Sequence, residues 1–248
     1  MANGPMFERA HHRRIGRVLE SLDAALLRSY QCWFGGGTAI ALRCGEFRES
    51  VDIDFLVSDP TGYRALRQRL RGARDLHALM RDDRRPIELE HEARIDQYGI
   101  RAFLLVEEVR IKFEIISEGR IQFDPPLRSD QVCGIASLRR TDLAACKLLA
   151  NVDRWRDDSV FARDVIDLAM LDLPPRHLKP ALDKAAAAYG RAAVVDDLHA
   201  ALQGLRLRPG WLLRCMQALS INLPAAQLQQ TLRELVRRLV AATSSRPE

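Results

Sequence analysis

Residues 34–57, FGGGTAIALRCGEFRESVDIDFLV, combine a run of glycines with two closely spaced aspartates, and the fold is predicted from this stretch. Three successive glycines, Gly35 to Gly37, precede Thr38 to Arg43, which has the character of a short helix with Thr38 able to help cap its start. Backbone without side chains can approach a phosphate closely, and the amides at a helix N-terminus attract anions. A glycine triplet is more often a plain loop, so this feature alone leaves both interpretations open.

The end of the same stretch, Val51 to Val57, alternates and is rich in β-branched residues, which predicts a strand. Successive side chains of a strand point to opposite faces, so Asp52 and Asp54 share one face and the apolar residues share the other. Aspartate is a poor strand former, and adjacent carboxylates repel each other. A divalent cation would offset that cost, because carboxylate oxygens are the ligands that Mg²⁺ prefers. A solvated edge strand is the alternative.

A third carboxylate lies in another alternating segment, Val109 to Ser117, which a tight turn near Glu107 joins to a strand over Ile100 to Val106. In this segment Glu114 and Lys112 share the polar face. If it lies beside the first strand, Glu114 completes a cluster able to hold two metals for in-line phosphoryl displacement. The alternative is that Glu114 pairs with Lys112 or Arg101 on a wet face.

The second half of the chain is helical in character, so the whole is predicted to be α+β: a small mixed-sheet core over 1–130 and a helical domain over 131–248. Helices are predicted over 8–30, 63–71, 141–154, 159–171, 178–189, 194–203, 211–219 and 225–242, a further strand over 87–91, and fraying over 243–248.

Two of these helices carry charged side chains at helical spacing. Lys147, Asn151 and Arg154 lie on one face of the first, and Asp164 and Asp167 are one turn apart on the second. A lysine in so apolar a patch could reach triphosphate oxygens. The alternative is an ion pair between the helices, such as Arg154 with Asp164.

Composition narrows the class of protein. The 248 residues carry a formal net charge of +5, which suits an anionic partner. No apolar run is long enough to cross a bilayer, and the N-terminal segment lacks the apolar core of a secretory signal, so a cytoplasmic protein with no membrane partner is expected. His11 and His12, close to the N-terminus, are expected to face water.

Together these motifs resemble the AbiEii/AbiGii-type nucleotidyltransferases, which are toxins of bacterial toxin–antitoxin and phage-defence systems. The resemblance covers roughly residues 30 to 170. It rests on GGTAIALR-x-G-x-x-R-x-S-x-DID over residues 36–54, on KLLA over 147–150 with Arg154 beyond, and on RDVIDL over 163–168.

The resemblance implies a nucleotidyltransferase core with a helical appendage. Such an enzyme would move a nucleoside monophosphate from a nucleoside triphosphate to an acceptor such as the tRNA 3′ end, use Mg²⁺, and have a cognate antitoxin. By position, Asp52 and Asp54 would bind metal, with Glu114 as the candidate third ligand from the neighbouring strand. Lys147 would contact the nucleotide, and Asp164 would orient Lys147 or act as a base. Triphosphate contacts would come from Gly36, Gly37, Thr38, Arg48 and Ser50.

One departure from the pattern keeps other functions open. Across the wider fold the third carboxylate is typically aspartate, whereas the matching strand here offers Glu114, and Mg²⁺ demands near-ideal geometry. A catalytically weak or inactive module that binds nucleotide or RNA is therefore one alternative. Its phosphate contacts would come from the C-terminal arginines 206, 208, 214, 233, 237 and 238. A small-molecule nucleotidyltransferase is the other.

Overall fold

The computed structural model describes residues 7–71, 76–81, 83 and 87–244. The chain divides into two compact units, Met1–Arg139 and Arg140–Glu248. The boundary expected at residue 130 lies inside the first unit. None of the helices in the described ranges combines the length and the apolar character needed to cross a bilayer.

The first unit is built around a mixed sheet. Its strands within the described residues are β1 (Trp33–Gly35), β2 (Ile53–Val57), β3 (Glu88–Leu89), β4 (Arg94–Ile95), β5 (Gly99–Val106) and β6 (Val109–Ser117), and a separate small hairpin is formed by β7 (Gln131–Val132) and β8 (Ile135–Ala136). The main sheet has the order β1-β2-β6-β5-β3, with β4 also pairing with β5. β2 runs parallel to β6 and antiparallel to β1.

The helices of this unit are α1 (Ala10–Ser21), α2 (Ala24–Ser29), α3 (Gly36–Arg43) and α4 (Pro60–Arg71). The single helix expected over 8–30 is in fact two, because the chain turns at Leu22 and Asp23, where the Asp23 side chain caps α2 by accepting the Leu26 N–H. Thr38 does not cap α3. That helix begins two residues earlier and has no side-chain cap.

The buried face of the sheet is formed by the alternate apolar side chains that the sequence predicts. Phe34, Phe55 and Phe113, on three neighbouring strands, are fully buried, and successive ring centroids lie 5.6 Å apart. The strand expected over 51–57 begins only at Ile53, so Val51 lies outside the core and is 47% exposed. The tight turn between β5 and β6 is present, with Glu107 and Glu108 both at positive φ, as a two-residue hairpin turn requires.

The second unit is entirely helical in its described part. Its helices are α5 (Arg140–Arg154), α6 (Arg163–Met170), α7 (Pro175–Tyr189), α8 (Arg191–Leu207), α9 (Trp211–Ala218) and α10 (Ala225–Ser244). Each buries an apolar stripe, with Leu148 on α5, Leu182 on α7 and Leu198 on α8 fully buried. The helix expected from 159 starts at 163, after a short 3₁₀ turn. Of the end expected to fray, residues 245–248 lie outside the described ranges.

Candidate active site

The glycine turn and the paired aspartates meet at one point of the first unit. Gly35 lies opposite Asp54 across β1 and β2, and Gly36 begins α3 at a φ of +68°. A Cβ added at Gly36 would stand 2.2 Å from Asp54 Oδ2. The missing side chain of Gly36 therefore makes the space that the Asp54 carboxylate occupies, so that this carboxylate lies against the start of α3.

Asp52 and Asp54 flank a fully buried residue, Ile53, and both are partly exposed. Asp54 lies within β2, whereas Asp52 lies directly before it. The burial of Ile53 anchors this stretch against the core, which leaves the two carboxylates on the solvent side of the sheet. This is the arrangement that alternation predicts.

Glu114 lies beside Asp54 in the register of β2 and β6, as a shared cluster requires. Its own carboxylate is engaged differently, however. Oε1 lies 3.1 Å from Arg101 Nε, and Oε2 lies 2.5 Å from Lys112 Nζ. In the described ranges, no group of three or more acidic, histidine or cysteine side chains is arranged to hold a metal. The ion pairs that the sequence left as an alternative are therefore present.

The hydroxyls expected to support a triphosphate are used within the protein. Thr38 is fully buried, and its Oγ1 lies 2.8 Å from Ser50 Oγ and donates to the Asp52 carbonyl at 2.5 Å. These bonds tie α3 to the segment that leads into β2. Arg48 is also buried, at 4% exposure, and donates from Nη1 to the Glu49 carbonyl at 2.8 Å. These three residues thus shape the backbone around Asp52.

His12 belongs to this network, although the sequence suggested otherwise. The expectation that His12 faces water is wrong, because its side chain is fully buried, whereas His11 is partly exposed. Nδ1 of His12 lies 2.7 Å from Glu46 Oε1, and Nε2 lies 3.1 Å from the Ser50 backbone nitrogen. The position of His12 three residues before the buried Ile15 was the signal that could have placed it on the apolar face of α1.

These bonds identify the protonation state of His12. The Ser50 N–H can only donate, so Nε2 accepts and Nδ1–H donates to Glu46 in a neutral ring. Burial lowers the pKa of His12, and the hydrogen bond and charge of Glu46 oppose this only in part. For Glu46, burial raises the pKa, but the backbone amides of Glu8 and Arg9 and the His12 bond outweigh it, so the pKa is lowered.

We expect His12→Ala to lower the free energy of unfolding by about 2 to 3 kcal/mol, because it leaves the Ser50 N–H without its acceptor and deprives Glu46 of a donor. Urea unfolding followed by circular dichroism measures the loss. His11→Ala is the neighbouring control, because His11 is partly exposed and the surface bond of its ring to the Val51 carbonyl, at 2.9 Å, should be worth only about 1 kcal/mol or less. Equal losses for the two variants would contradict the assignment.

The buried His12 should also make the stability of the protein depend on pH. The folded pKa of His12 lies below its unfolded value of about 6.5, so the unfolded state binds the proton more readily. The contribution of His12 to stability is therefore complete above about pH 6.5 and declines as the pH falls below that value. Unfolding between about pH 5.5 and 8 should show this decline in the wild type, and His12→Ala should lack it.

A second cluster of predicted residues lies within the helical unit. Lys147 of α5 places Nζ 3.0 Å from Asp164 Oδ1 and 2.7 Å from Asp167 Oδ2, both on α6. Arg154 holds Asp164 through two bonds, from Nε at 2.7 Å and from Nη2 at 2.9 Å. Lys147, Asp164 and Asp167 are at most 6% exposed, so these charges compensate one another in a largely dry environment.

The cluster keeps Asp164 ionised. Burial raises the pKa of Asp164, but the charges and hydrogen bonds of Lys147 and Arg154 outweigh that effect and hold the pKa far below its ordinary value. Both oxygens of Asp164 accept hydrogen bonds from the two cations. This geometry suits a residue that orients Lys147 and Arg154. The sequence had left Asp167 without a role, and the structure makes it the second partner of Lys147.

Comparison with known proteins relates both clusters to one family. A family model described as "Nucleotidyl transferase AbiEii toxin, Type IV TA system" matches residues 17–242, which contain both groups of residues. The chain belongs to the AbiEii nucleotidyltransferase toxin family. Its enzymatic class is accordingly nucleotidyl transfer, and the resemblance inferred from the three sequence motifs is confirmed.

Two solved structures are similar to the chain at low identity. A protein of H. pylori described as a nucleotidyltransferase is 16% identical over 96% of this chain and 97% of its own, with a TM-score of 0.45. MenT4, a nucleotidyltransferase toxin from Mycobacterium tuberculosis, is 17% identical over 94% of this chain and 95% of its own, with a TM-score of 0.47. A search among curated proteins found no significant match.

The glycine at the aspartate pair should be needed for AbiEii-type activity. We expect Gly36→Ala to lower nucleotidyl transfer about 100-fold, because the new Cβ would displace the Asp54 carboxylate and small misplacements of reacting groups are costly. Initial rates of nucleoside triphosphate consumption measure the loss.

Gly45→Ala is the matched control for Gly36→Ala. Gly45 has a similar φ of +74° but no atom within 4 Å of an added Cβ, so that variant should lose about 1 to 2 kcal/mol of stability and keep its activity. Equal activities would show that Asp54 can move without consequence.

Proposed function

We propose that this toxin transfers a nucleoside monophosphate from a nucleoside triphosphate to the 3′ end of tRNA, with Mg²⁺ held by Asp52 and Asp54. The observation that carries the proposal is the contact between Gly36 and the Asp54 carboxylate. It sets the partly exposed Asp54 carboxylate beside the N-terminus of a helix, with the partly exposed Asp52 two residues away in the chain. Such a helix start attracts phosphate, and the carboxylates attract the cation that accompanies it.

The donor set fits a divalent cation that keeps part of its water and phosphate shell. Mg²⁺ in sites of this kind takes one or two protein carboxylates and completes its shell with water and substrate oxygens. When bound, it would neutralise charge that develops on the phosphates. Asp52 and Asp54 supply two carboxylates, whereas Glu114 would first have to leave Arg101 and Lys112.

The other residues of the site would bind the triphosphate or hold the backbone around Asp52 in place. The amides of Gly36 and Gly37, in the first turn of α3, would bind the triphosphate, since that helix has no side-chain cap. Thr38, Ser50 and the buried Arg48 would act indirectly, by holding the Asp52 segment in place. Lys147 would contact the nucleotide, and Asp164 would orient Lys147 rather than act as a base, because its pKa is lowered and its oxygens are occupied.

The biological setting follows from the family. A type IV toxin–antitoxin system implies a cognate antitoxin whose effect opposes that of the toxin. Nucleoside triphosphates and tRNA are both cytoplasmic, so we place the activity there. Expression of the wild-type chain without its antitoxin should arrest growth, and Asp52→Ala should relieve the arrest. Equal toxicity of the two chains would rule out nucleotidyl transfer as the cause.

The acceptor is identified by incubating the protein with each nucleoside triphosphate labelled at the α-phosphate, Mg²⁺ and total tRNA. The Asp52→Ala/Asp54→Ala variant is the control. Label that moves onto tRNA in the wild type alone supports the proposal and names the base. Label on protein or on a small molecule would show that this molecule, and not tRNA, is the acceptor. Binding of RNA without metal and without turnover would contradict the proposal.

A further inference from the structure

The two aspartates of the site are held in place by different parts of the fold. Asp54 lies within β2, and its place in the sheet is set by pairing with Gly35 on β1 and with Glu114 on β6. The pairs that β2 forms in the described ranges begin at Ile53, so Asp52 lies outside them. The position of the Asp52 carboxylate therefore depends on the contacts of the segment that leads into the strand.

The first turn of α1 holds this segment at two successive residues. Nε2 of the fully buried His12 accepts the Ser50 N–H at 3.1 Å. Nε2 of the partly exposed His11 lies 2.9 Å from the Val51 carbonyl oxygen, to which it can donate. Both contacts are made to the main chain, so they constrain the backbone directly before Asp52.

Glu46 holds His12 in turn and joins α1 to α3. Its carboxylate accepts Nδ1–H of His12 at 2.7 Å and the backbone amides of Glu8 at 2.7 Å and Arg9 at 3.1 Å. These amides lie at the start of α1, whose N-cap residue has no side-chain cap of its own. The Glu46 amide donates to the Ala41 carbonyl of α3 at 2.8 Å. The start of α1 is thus bonded to the helix whose first residue belongs to the glycine turn.

The family relationship does not account for these contacts. The family model matches from residue 17 onward, and the first of the three sequence motifs begins at residue 36. Residues 8–12 lie before both, yet the groups that they bond, on Glu46, Ser50 and Val51, lie inside the matched range. The N-terminal segment of this chain therefore supplies contacts to the site that the motifs do not contain.

We propose that residues 8–12 form an N-terminal clamp that positions Asp52 for metal binding, with His12 as its chief positioning residue. The inference rests on the proposed function, because Asp52 there holds the metal. His12 touches neither metal nor substrate and acts through the Ser50 amide. Its bond is shielded from water, so it contributes more than the partly exposed contact of His11. Mg²⁺ demands near-ideal geometry, so a displaced carboxylate binds it less tightly.

Two substitutions of His12 separate its two bonds. Glutamine can place an amide oxygen near the position of Nε2 and keep an acceptor for the Ser50 N–H, whereas asparagine can place an amide nitrogen near Nδ1 and keep only the donor for Glu46. Titration with Mn²⁺ alone, followed by the electron paramagnetic resonance of the free ion, measures metal binding. The binding that Asp52→Ala/Asp54→Ala abolishes is the binding at the site.

The clamp predicts different metal affinities for these two variants. His12→Asn should raise the Mn²⁺ concentration for half-saturation about 10-fold, the lower end of the losses found when a group that supports a metal ligand is removed. His12→Gln should raise it less than about 3-fold, because the Ser50 N–H keeps an acceptor. Equal affinities of the wild type, His12→Asn and His12→Gln would overturn the proposal.

Amide hydrogen exchange provides a readout that needs no metal. His12→Asn should speed exchange in a peptide covering residues 48–53 about 5- to 10-fold, as expected for the loss of one buried hydrogen bond. Peptides from β5 and β6 should exchange as in the wild type, and His12→Gln should stay close to the wild type throughout. Faster exchange across the whole first unit would show that His12 has only a general structural role.

Leu104→Ala is the control for a general loss of stability. Leu104 is buried on β5, which β6 separates from β2, and the cavity left by the substitution should lower the midpoint of urea unfolding. The Mn²⁺ concentration for half-saturation should nevertheless stay at the wild-type value. A rise as large as that of His12→Asn would mean that lost stability, and not the clamp, weakens the metal site.

Transfer to tRNA distinguishes failure of this inference from failure of the proposed function. A wild-type chain that transfers no nucleotide and binds Mn²⁺ no better than Asp52→Ala/Asp54→Ala would refute the proposed function, and the inference with it. A wild-type chain that is active, beside a His12→Asn variant that needs no more Mg²⁺ for its half-maximal rate, would refute the clamp alone. A higher Mg²⁺ requirement in His12→Asn that His12→Gln largely restores would support it.

Discussion

Asp54→Asn should lower the rate of nucleotidyl transfer about 1,000-fold while leaving the unfolding transition nearly unchanged. Asparagine keeps the shape of the side chain beside Gly36 but removes the negative charge that would hold the metal. Stabilisation of transition-state charge by a bound metal is worth several kcal/mol, and about 1.36 kcal/mol corresponds to a tenfold change in rate. Initial rates with labelled nucleoside triphosphate and total tRNA measure the loss, and urea unfolding checks the fold.

Glu114→Gln is the informative comparison for Asp54→Asn. Glu114 neighbours Asp54 in the sheet, but Arg101 and Lys112 occupy its carboxylate oxygens. We therefore expect Glu114→Gln to lower the rate less than about tenfold, as loosening of partly exposed ion pairs would do. A loss as large as that of Asp54→Asn would make Glu114 a direct ligand. Full activity of Asp54→Asn would refute the metal site.

Lys147→Met should lower the free energy of unfolding by about 3 to 5 kcal/mol, the range found when one partner of a buried ion pair is removed. Without Lys147 the fully buried Asp167 loses a cation 2.7 Å away, and Asp164 keeps Arg154 but loses one of its two cations among the described residues. Methionine retains most of the volume, so the loss reports charge rather than packing. Urea unfolding followed by circular dichroism measures it.

Two variants control the Lys147 prediction. Lys179→Met changes a partly exposed lysine on α7 and should cost less than about 1 kcal/mol. Adding Asp167→Asn to Lys147→Met should recover part of the lost stability, because it removes the carboxylate that the lysine had compensated. The interpretation is wrong if Lys147→Met costs no more than Lys179→Met, or if the second change makes the protein less stable still.

The lysine variant should also change the acid sensitivity of the protein. Lys147 and Arg154 hold the pKa of Asp164 well below its unfolded value of about 3.9. The resulting stability is complete above that value and is lost as the pH falls toward the lower folded pKa. Wild-type stability should therefore fall steeply below about pH 4, and Lys147→Met should show a shallower dependence over the same range.

Local patterns in the sequence predicted much of the fold. The alternation around Ile53 and Phe113 identified two strands with their buried faces, and the helices of the second unit began and ended within a few residues of their predicted positions. The three motifs also identified the family. These features depend on neighbours along the chain, namely strand alternation, helical spacing and the residues that start a helix, so one segment suffices to recognise each.

Which charged groups meet depends on the packing of segments that are distant in sequence. Arg101 reaches Glu114 because β5 pairs with β6 in a particular register. His12 reaches Ser50 across 38 residues of sequence because α1 contacts the segment that leads into β2. Lys147 lies between Asp164 and Asp167 because α5 packs on α6. The local pattern of each segment allows several partners. It shows which side chains of a strand or helix are buried, but not which other segment packs against them. The sequence alone was enough to predict most of the elements, the family and the candidate residues for the chemistry, and packing between distant segments fixed which of those residues hold one another in place.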